Sequence, residues 1–418
     1  MLVRMRIGQL DIAIVGYGTA GQAAAIYLTY LGHRVCVFER SGRLGPIGAG
    51  ILLQPTGLSV LADLGLLDQA LACGALVHRL HGTNLAGRSV MDMRYRNLDP
   101  DYFGLGMQRG ALFELLKSGF IHSAQIVTDC EIVGLGADGC SLRDVRNNAH
   151  GPFDLIVAAD GAASALRTAL APRGRDQPYP WGALWCLCAD PERRFDGQLS
   201  QRYDLAQRMC GVLPVGRLPG EGDEGHRVSF FWSLKADAMG LWQSRELDDW
   251  KTEVRKYWPE AAQLLEPIRD HAQFARAQYR DVVLKRRYQG RVVWLGDAAH
   301  AMSPQLGQGA NMALLDAQAL AVALACEANI DAALAAFARE RRRHVPIYQF
   351  ISRWLTPLFQ SNRDFIARAR DLWFGPLGRV PVLRGEMLKV LAGVKRGWFG
   401  RWPPPSGEAV RASARKAE

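Results

Sequence analysis

Two kinds of apolar patterning alternate along the chain. Short continuous runs at Asp11–Val15, Arg34–Phe38, 153–159 and 292–295 each stop abruptly at a glycine or an acid, as strands covered on both faces do. Helical spacing follows them, in the Ala-rich stretch after Gly21, at 58–67, through Leu112, Leu115 and Leu116, and from 310 to 320. From 179 to 287 the character changes to period-two alternation, with strands expected at 211–215 and 228–234 and a helix at 247–265. Helical stretches then resume at 330–343, 347–355, 365–373 and 383–391. The pattern predicts an α/β unit interrupted by a mixed β-sheet domain and followed by bracing helices.

The first strand runs straight into Gly16-Tyr17-Gly18-Thr19-Ala20-Gly21, and the second closes on Glu39. In that context the glycines serve the tight turn, close approach to a pyrophosphate and helix–strand packing, while the acid meets an adenosine ribose. An ADP moiety is expected there, and Glu39 disfavours a 2′-phosphate. Arg40 begins a Gly-rich loop reaching Ile51.

The stretch from Arg291 to Leu320 reads as a strand, a polar Gly-rich turn and a helix. Gly296, Asp297, Ala298, Ala299, His300, Pro304, Gly307, Gly309, Asn311 and Asp316 stand at the spacing of the second flavin motif of the single-component FAD aromatic hydroxylases. The chain therefore resembles the p-hydroxybenzoate and salicylate hydroxylase group. The resemblance implies the p-hydroxybenzoate hydroxylase fold, a Rossmann-like FAD-binding domain with an inserted mixed β-sheet substrate domain and C-terminal helices. It divides the chain into FAD-binding segments 1–178 and 288–330, a substrate domain 179–287, a helical region 331–400 and a disordered tail 401–418.

It further implies that Asp297 contacts the ribityl chain, that Pro304 lies by the isoalloxazine, and that Gly307, Gly309, Ala310 and Asn311 face its pyrimidine end. Residues 48–51, ending in Ile51, become a wall of a mobile flavin ring, although the p-hydroxybenzoate branch has an Arg where Gly48 stands. Arg109, a cation at a helix start where the dipole disfavours one, becomes a cofactor contact. Asp160, in an Asp-Gly motif with Arg167, becomes a cofactor-site residue. No second GxGxxG exists, so NADH or NADPH is expected to bind transiently. FAD would then activate O2 as a hydroperoxide whose distal oxygen passes to an electron-rich carbon. Tyr203, Phe231 and Pro304 are the substrate-contact candidates. Period two puts Phe231 on the opposite face from Phe230 and Trp232, without saying which face lines the pocket. No catalytic acid or base is assigned, and His300 is read as ordering its loop. The competing readings are another reaction on the same fold (halogenase, epoxidase, reductase) and a non-enzymatic FAD redox sensor.

Composition narrows this only a little. With 418 residues and 49% hydrophobic positions the chain can build two cores. The net charge of +10 suits an anionic cofactor and substrate as well as a nucleic acid or membrane surface. We read it as no nucleic-acid partner and no transmembrane segment. Residues 339–343 are expected to form a solvated basic face. Phe374, Trp398, Phe399 and Trp402 are assigned to core or dimer packing in preference to a lipid interface. Eight scattered cysteines suggest neither a metal site nor a disulfide framework, and fit a cytoplasmic monomer or homodimer.

Overall fold

A computed structural model describes residues 7–45, 50–119, 124–378, 380–398 and 400–401. Gly48, Phe399, Trp402 and the tail expected to be disordered, from 402 onward, lie outside the described residues.

The expected short apolar runs form one six-stranded sheet in the order Tyr288–Gln289, Val292–Trp294, Leu155–Ala158, Asp11–Val15, Arg34–Phe38 and Gln125–Val127. Its strands are parallel apart from the first pair. Ile12, Val157 and Val293 are fully buried, which is why these strands read as continuous apolar runs without alternation. One face carries the helices Thr19–Tyr30 and Gly309–Cys326, packed against each other. The second of these is long and apolar enough to cross a membrane by length and composition, but 67% of it is buried, as in a core helix. The other face is closed by Leu166 and by a small three-stranded sheet at 132–150 that the sequence pattern did not announce.

A second, nine-stranded sheet runs Ala275–Leu284, Gly174–Ala189, Arg227–Lys235, Arg208–Gly216, Gly197–Asp204, Ala75–Asn84, Gly104–Gln108 and Gly50–Leu53, with Ser89–Arg94 paired to Ala75–Asn84. It recruits four strands from 50–108, a stretch that the sequence reading had placed with the first nucleotide-binding segment. Its outer face, with Phe230 and Trp232, packs on the helices Leu247–Tyr257 and Pro259–Gln263. These two helices replace the single one expected at 247–265. Trp258, held at φ −155° and ψ 85°, breaks it because the residue before a proline is driven out of the helical region.

The C-terminal helices are Ile330–Arg342, Val345–Phe359, Asp364–Leu377 and Pro381–Leu391. The solvated basic face expected at 339–343 is corrected in one respect: Arg341 is wholly buried, whereas Arg339, Arg342 and Arg343 are exposed. Phe374 packs on Phe359 as expected, with ring centroids 6.0 Å apart, but Trp398 remains 61% exposed.

Trp250 anchors the outer face, meeting Phe230, Trp232, Trp242 and Phe274 edge-on at 5.2–6.3 Å. Trp250→Ala is expected to lower unfolding free energy in urea by about 3–5 kcal/mol. The FAD content of the folded fraction should be unchanged, because the cluster lies on the far side of the sheet. A selective loss of flavin would show that the two faces are not independent.

Candidate active site

The carboxyl ends of four parallel strands converge at one edge of the six-stranded sheet, where open α/β sheets bind ligands. The register pairs Val15 with both Phe38 and Ala158, and Ala158 with Trp294. Gly16, Glu39, Asp160 and Gly296 therefore leave the sheet side by side.

At the first of these ends, Gly16 has φ 102°, and a Cβ there would lie 2.5 Å from the Ala159 carbonyl oxygen. A Cβ on Gly21 would lie 1.9 Å from the Gly16 carbonyl oxygen, so helix and turn touch through bare backbone. Gly18 is exposed and meets nothing within 4 Å, leaving open space before the first turn of the helix Thr19–Tyr30. No side chain caps that helix, so its half-buried Thr19 and buried Ala20 present N–H groups suited to an anion. Glu39 does more than wait for a ribose. One carboxylate oxygen accepts from Tyr17 N and the other from Ser41 N, both at 2.9 Å, which braces the glycine turn. Arg40 beside it is exposed.

The last strand ends in Gly296, at φ 56°, followed by the exposed Asp297. A Cβ on Gly309 would stand 3.8 Å from Asp297 Oδ1, so the carboxylate flanks the uncapped start of the helix Gly309–Cys326. Pro304 opens a short turn that closes on Gly307 at φ 59°, and Pro304, Gly309 and Ala310 are all half-buried. Asn311 differs from them in being fully buried. Its amide donates to Gly307 O (3.0 Å) and Leu52 O (3.2 Å), and its carbonyl accepts from Gln54 N (2.8 Å). It thus fastens the turn to the strand Gly50–Leu53, which holds the half-buried Ile51. That strand pairs Gly50 with Gln108, which places the exposed Arg109 beside it at the start of the helix Arg109–Ser118. Asp160 Oδ2 accepts from Leu166 N at 3.3 Å, while Oδ1 is buried without a partner among the described residues. Burial pushes this carboxyl up, against the bonds from Ser164 and Leu166.

Behind the turn sits a buried charge cluster. Asp316 Oδ2 accepts from Gly296 N (2.8 Å) and lies 2.5 Å from His300 Nε2, and Oδ1 accepts from Arg341 Nε (2.6 Å). Burial pushes the Asp316 carboxyl up, but His300 and Arg341 together hold it well below the usual carboxylate range. Buried Arg287 faces the same carboxylate, and burial draws its pKa down to about 10. Arg341 also donates to His344 Nδ1 (3.1 Å), whose Nε2 donates to Gly393 O (2.8 Å). Burial and then the Arg341 charge lower the His344 pKa to about 3, which keeps the ring neutral. His300 is completely buried, and its Nδ1 has no partner among the described residues.

The other face of the nine-stranded sheet carries a second aromatic cluster, in which Phe231, only 5% exposed, packs with Tyr203, Met209 and Phe359. Ser229 Oγ accepts from Gly50 N at 3.0 Å, and Phe231, two residues on, shares its face. Phe231 stacks at 4.9 Å on half-buried Trp185, whose Nε1 donates to Tyr279 OH at 3.1 Å. Burial pushes the Tyr279 hydroxyl up to about 12, opposed by the Trp185 bond and the Arg109 charge. Tyr203 lies deeper on the same face. Its ring is packed between Phe359 and the Arg370 guanidinium, and its hydroxyl donates to Gln201 Oε1 at 2.8 Å. Only 1% of it is exposed, so it presents no surface to a ligand in this conformation. Trp185 stands out in the sequence only as one of a concentration of aromatic rings in the 179–287 sheet, while Tyr279 and Gln54, whose Nε2 is buried without a described partner about 4.0 Å from a Cβ on Gly307, do not stand out at all. They sit in ordinary strand and helix-start patterns with no motif to mark them.

An open glycine turn for a pyrophosphate, an exposed carboxylate at a bare helix start and an orphaned buried carboxylate oxygen fit FAD. Together with the two-sheet architecture they define a flavin-dependent oxidoreductase of the p-hydroxybenzoate hydroxylase fold. Residues 9–347 match the family model described as an FAD binding domain, and the chain belongs to that family. 3-Amino-4-hydroxybenzoate 2-monooxygenase of Streptomyces cremeus is 30% identical over 333 residues, 74% of this chain and 77% of that protein. Aurachin C monooxygenase/isomerase of Stigmatella aurantiaca is 28% identical over 338 residues, 78% of this chain and 84% of that protein. In fold, a solved structure of 2-methyl-3-hydroxypyridine-5-carboxylic acid oxygenase matches 95% of this chain and 100% of its own, with TM-score 0.75 and 22% identity. The protein is an enzyme, an FAD-dependent monooxygenase, as its sequence led us to expect.

Two outcomes follow from the geometry. Asp297→Ala removes an exposed carboxylate that no fold contact requires, so FAD affinity should fall by one charge-assisted bond, about 1.5–3 kcal/mol or roughly ten- to hundredfold in Kd. Fluorescence titration of apoprotein reads this, and an unchanged Kd would remove Asp297 from the site. The second concerns acid. An unfolded His takes up its proton near pH 6.5, whereas folded His344 does so only near 3, so the unfolded chain binds more protons between these values. The stability contributed by the neutral ring is complete above about pH 6.5 and drains as pH falls, by up to about 1.4 kcal/mol per unit. Urea midpoints of wild type should thus drop more steeply than those of His344→Gln between pH 7 and 5, and parallel slopes would contradict the assignment.

Proposed function

We propose that the enzyme uses NADH or NADPH and O2 to hydroxylate a small, electron-rich aromatic molecule. The observation that supports this reading is the Phe231–Trp185–Tyr279 wall, on the sheet face that also carries Ser229, the hydrogen-bond partner of Gly50. Bound FAD would supply hydride acceptance from the nicotinamide and activation of oxygen. Gly16, Gly18, Thr19, Ala20 and Gly21 would hold the pyrophosphate, with Glu39 and Arg40 at the adenosine. Arg109, Asp160 and Asp297 would anchor the middle of the cofactor. Gly296, Pro304, Gly307, Gly309, Ala310 and Ile51 would border its ring, with Asn311 acting through the backbone it fixes. Phe231 and Pro304 would contact the substrate, and Tyr203 would support them from behind. The Arg109 side of the wall suits an anionic or phenolic group on the ring. The name of the Streptomyces relative describes a ring with hydroxyl, amino and carboxylate substituents, which is the same chemistry.

The domain division fits this reading once residues 50–108 are counted with both units: substrate sheet at 179–287, nucleotide unit before and after it, helices from 331 as braces. A cytoplasmic monomer or homodimer without nucleic acid is the simplest setting for such an enzyme.

The test is a panel of phenols, quinolones, indoles and aromatic polyketide fragments screened for stimulated NADH or NADPH consumption under 18O2. At least one ring should accelerate consumption and acquire a single labelled oxygen. No stimulation, or product oxygen drawn from water, would overturn the proposal. With a substrate in hand, Phe231→Ala should raise KM roughly two- to tenfold through lost ring stacking while FAD is retained.

A further inference from the structure

The C-terminal helices are apolar on the wrong side. Among the described residues, sixteen large hydrophobic side chains are exposed, and ten of them fall between Phe350 and Trp398. The helix Asp364–Leu377 buries only Ala367 and Arg370, and shows Phe365 (71% exposed), Leu372, Trp373 (60%) and Leu377 to the outside. A charge inside and aromatic rings outside reverse the usual pattern of a surface helix. On the neighbouring helix Val345–Phe359, Phe350 and Trp354 share the outward face one turn apart, and the Phe350 ring meets that of exposed Trp398 at 5.2 Å. Between these two helices runs an open groove of about 560 Å³, lined by Phe350, Trp354, Pro357 and Ile366 together with Arg353 and Arg363.

Charge says what covers this face. Residues 345–401 contain ten Lys and Arg against three Asp and Glu, although Arg370 and Lys395 are buried and Arg353 pairs with Asp281. Arg363 and Arg368 are exposed and have no ion-pair partner among the described residues. A second copy of the chain would bring like charges together across a shared face, whereas anionic lipid headgroups would neutralise them. Tryptophan and phenylalanine interleaved with arginine is also the composition that rests at the boundary between headgroups and acyl chains.

We infer that the outer face of the helices Val345–Phe359 and Asp364–Leu377 is a peripheral docking surface for an anionic lipid bilayer, on which the enzyme lies without spanning it. The inference is independent of the reaction proposed above. Trp398, 61% exposed, is not in the core, and the inference assigns it to the lipid face in place of a dimer contact.

The test is co-sedimentation of full-length, FAD-loaded protein with vesicles that are about one-third phosphatidylglycerol in phosphatidylcholine, against pure phosphatidylcholine, at about 0.1 M salt. Wild type should partition onto the anionic vesicles and scarcely onto the neutral ones. Arg363→Gln with Arg368→Gln should lower the partition coefficient about 25-fold, from about fivefold per charge. Trp354→Ser with Trp373→Ser should weaken it as well, with flavin content and unfolding midpoint reporting that the fold is intact. Absence of binding to anionic vesicles, or equal binding to both kinds, overturns the inference. So does a dimer in sedimentation velocity that the tryptophan variants dissociate while wild type ignores vesicles, since a second copy would then be the occupant.

Discussion

The buried carboxylate of Asp316 is the constraint on which the site depends. An isolated charge in this position would be prohibitively desolvated, and it persists because four separate segments bring partners to it. These are the backbone of Gly296 at the strand end, His300 on the short helix that follows, Arg341 from the helix Ile330–Arg342 and Arg287 from the preceding hairpin. Removing one partner from such a cluster costs about 3–5 kcal/mol, because the remaining charge stays buried. The arrangement therefore fixes the position of Gly296 and Asp297 against the helix Gly309–Cys326 far more firmly than a loop of this length could fix itself. His344 extends the same network to the backbone of Gly393, so the C-terminal helices are tied into the flavin edge of the fold.

A second fastening acts across the two sheets. Asn311, on the helix that covers the six-stranded sheet, spends its amide donors and acceptor on the backbone of residues 52, 54 and 307, and Ser229 holds Gly50 from within the nine-stranded sheet. The strand Gly50–Leu53 is thereby held both by the helix Gly309–Cys326 and by a strand of its own sheet. Net contributions of about 1 kcal/mol per hydrogen bond are modest, but the Asn311 amide is fully buried and would be costly to leave unpaired.

Much of this was legible in the sequence, and what was not has a physical reason. The four covered strands and the turns after them could be read because burial on both faces and the need for bare backbone at Gly16 and Gly21 leave few residue choices. The strands between 50 and 108 carry no such constraint. Their membership in the larger sheet comes from pairing with residues more than a hundred positions away, such as Ala75–Asn84 with Gly197–Asp204, which local pattern does not encode. Arg341 read as one of a solvated basic run because its neighbours are solvated, and only the position of Asp316 in space turns it inward. The face of Phe231 was undecided for the same reason: period two separates it from Phe230 and Trp232, but the helices that cover one side are a tertiary fact. Tyr203 was marked by its aromaticity, which served packing, while Tyr279 went unmarked.

The distribution of titratable groups bears on how the enzyme works. His300 is buried against Asp316, His344 is held neutral, and the Tyr203 hydroxyl is committed to Gln201. Tyr279 is shielded enough to remain a phenol at neutral pH and is a hydrogen-bond acceptor for Trp185. Under the proposed reading, the chain would offer a reacting ring an aromatic wall of Phe231, Trp185 and Tyr279 beside a strand held by buried bonds. With the cofactor carrying the redox chemistry, the proposed role of these residues is to orient the ring and keep water away from it, leaving the electron push to the substrate's own substituents.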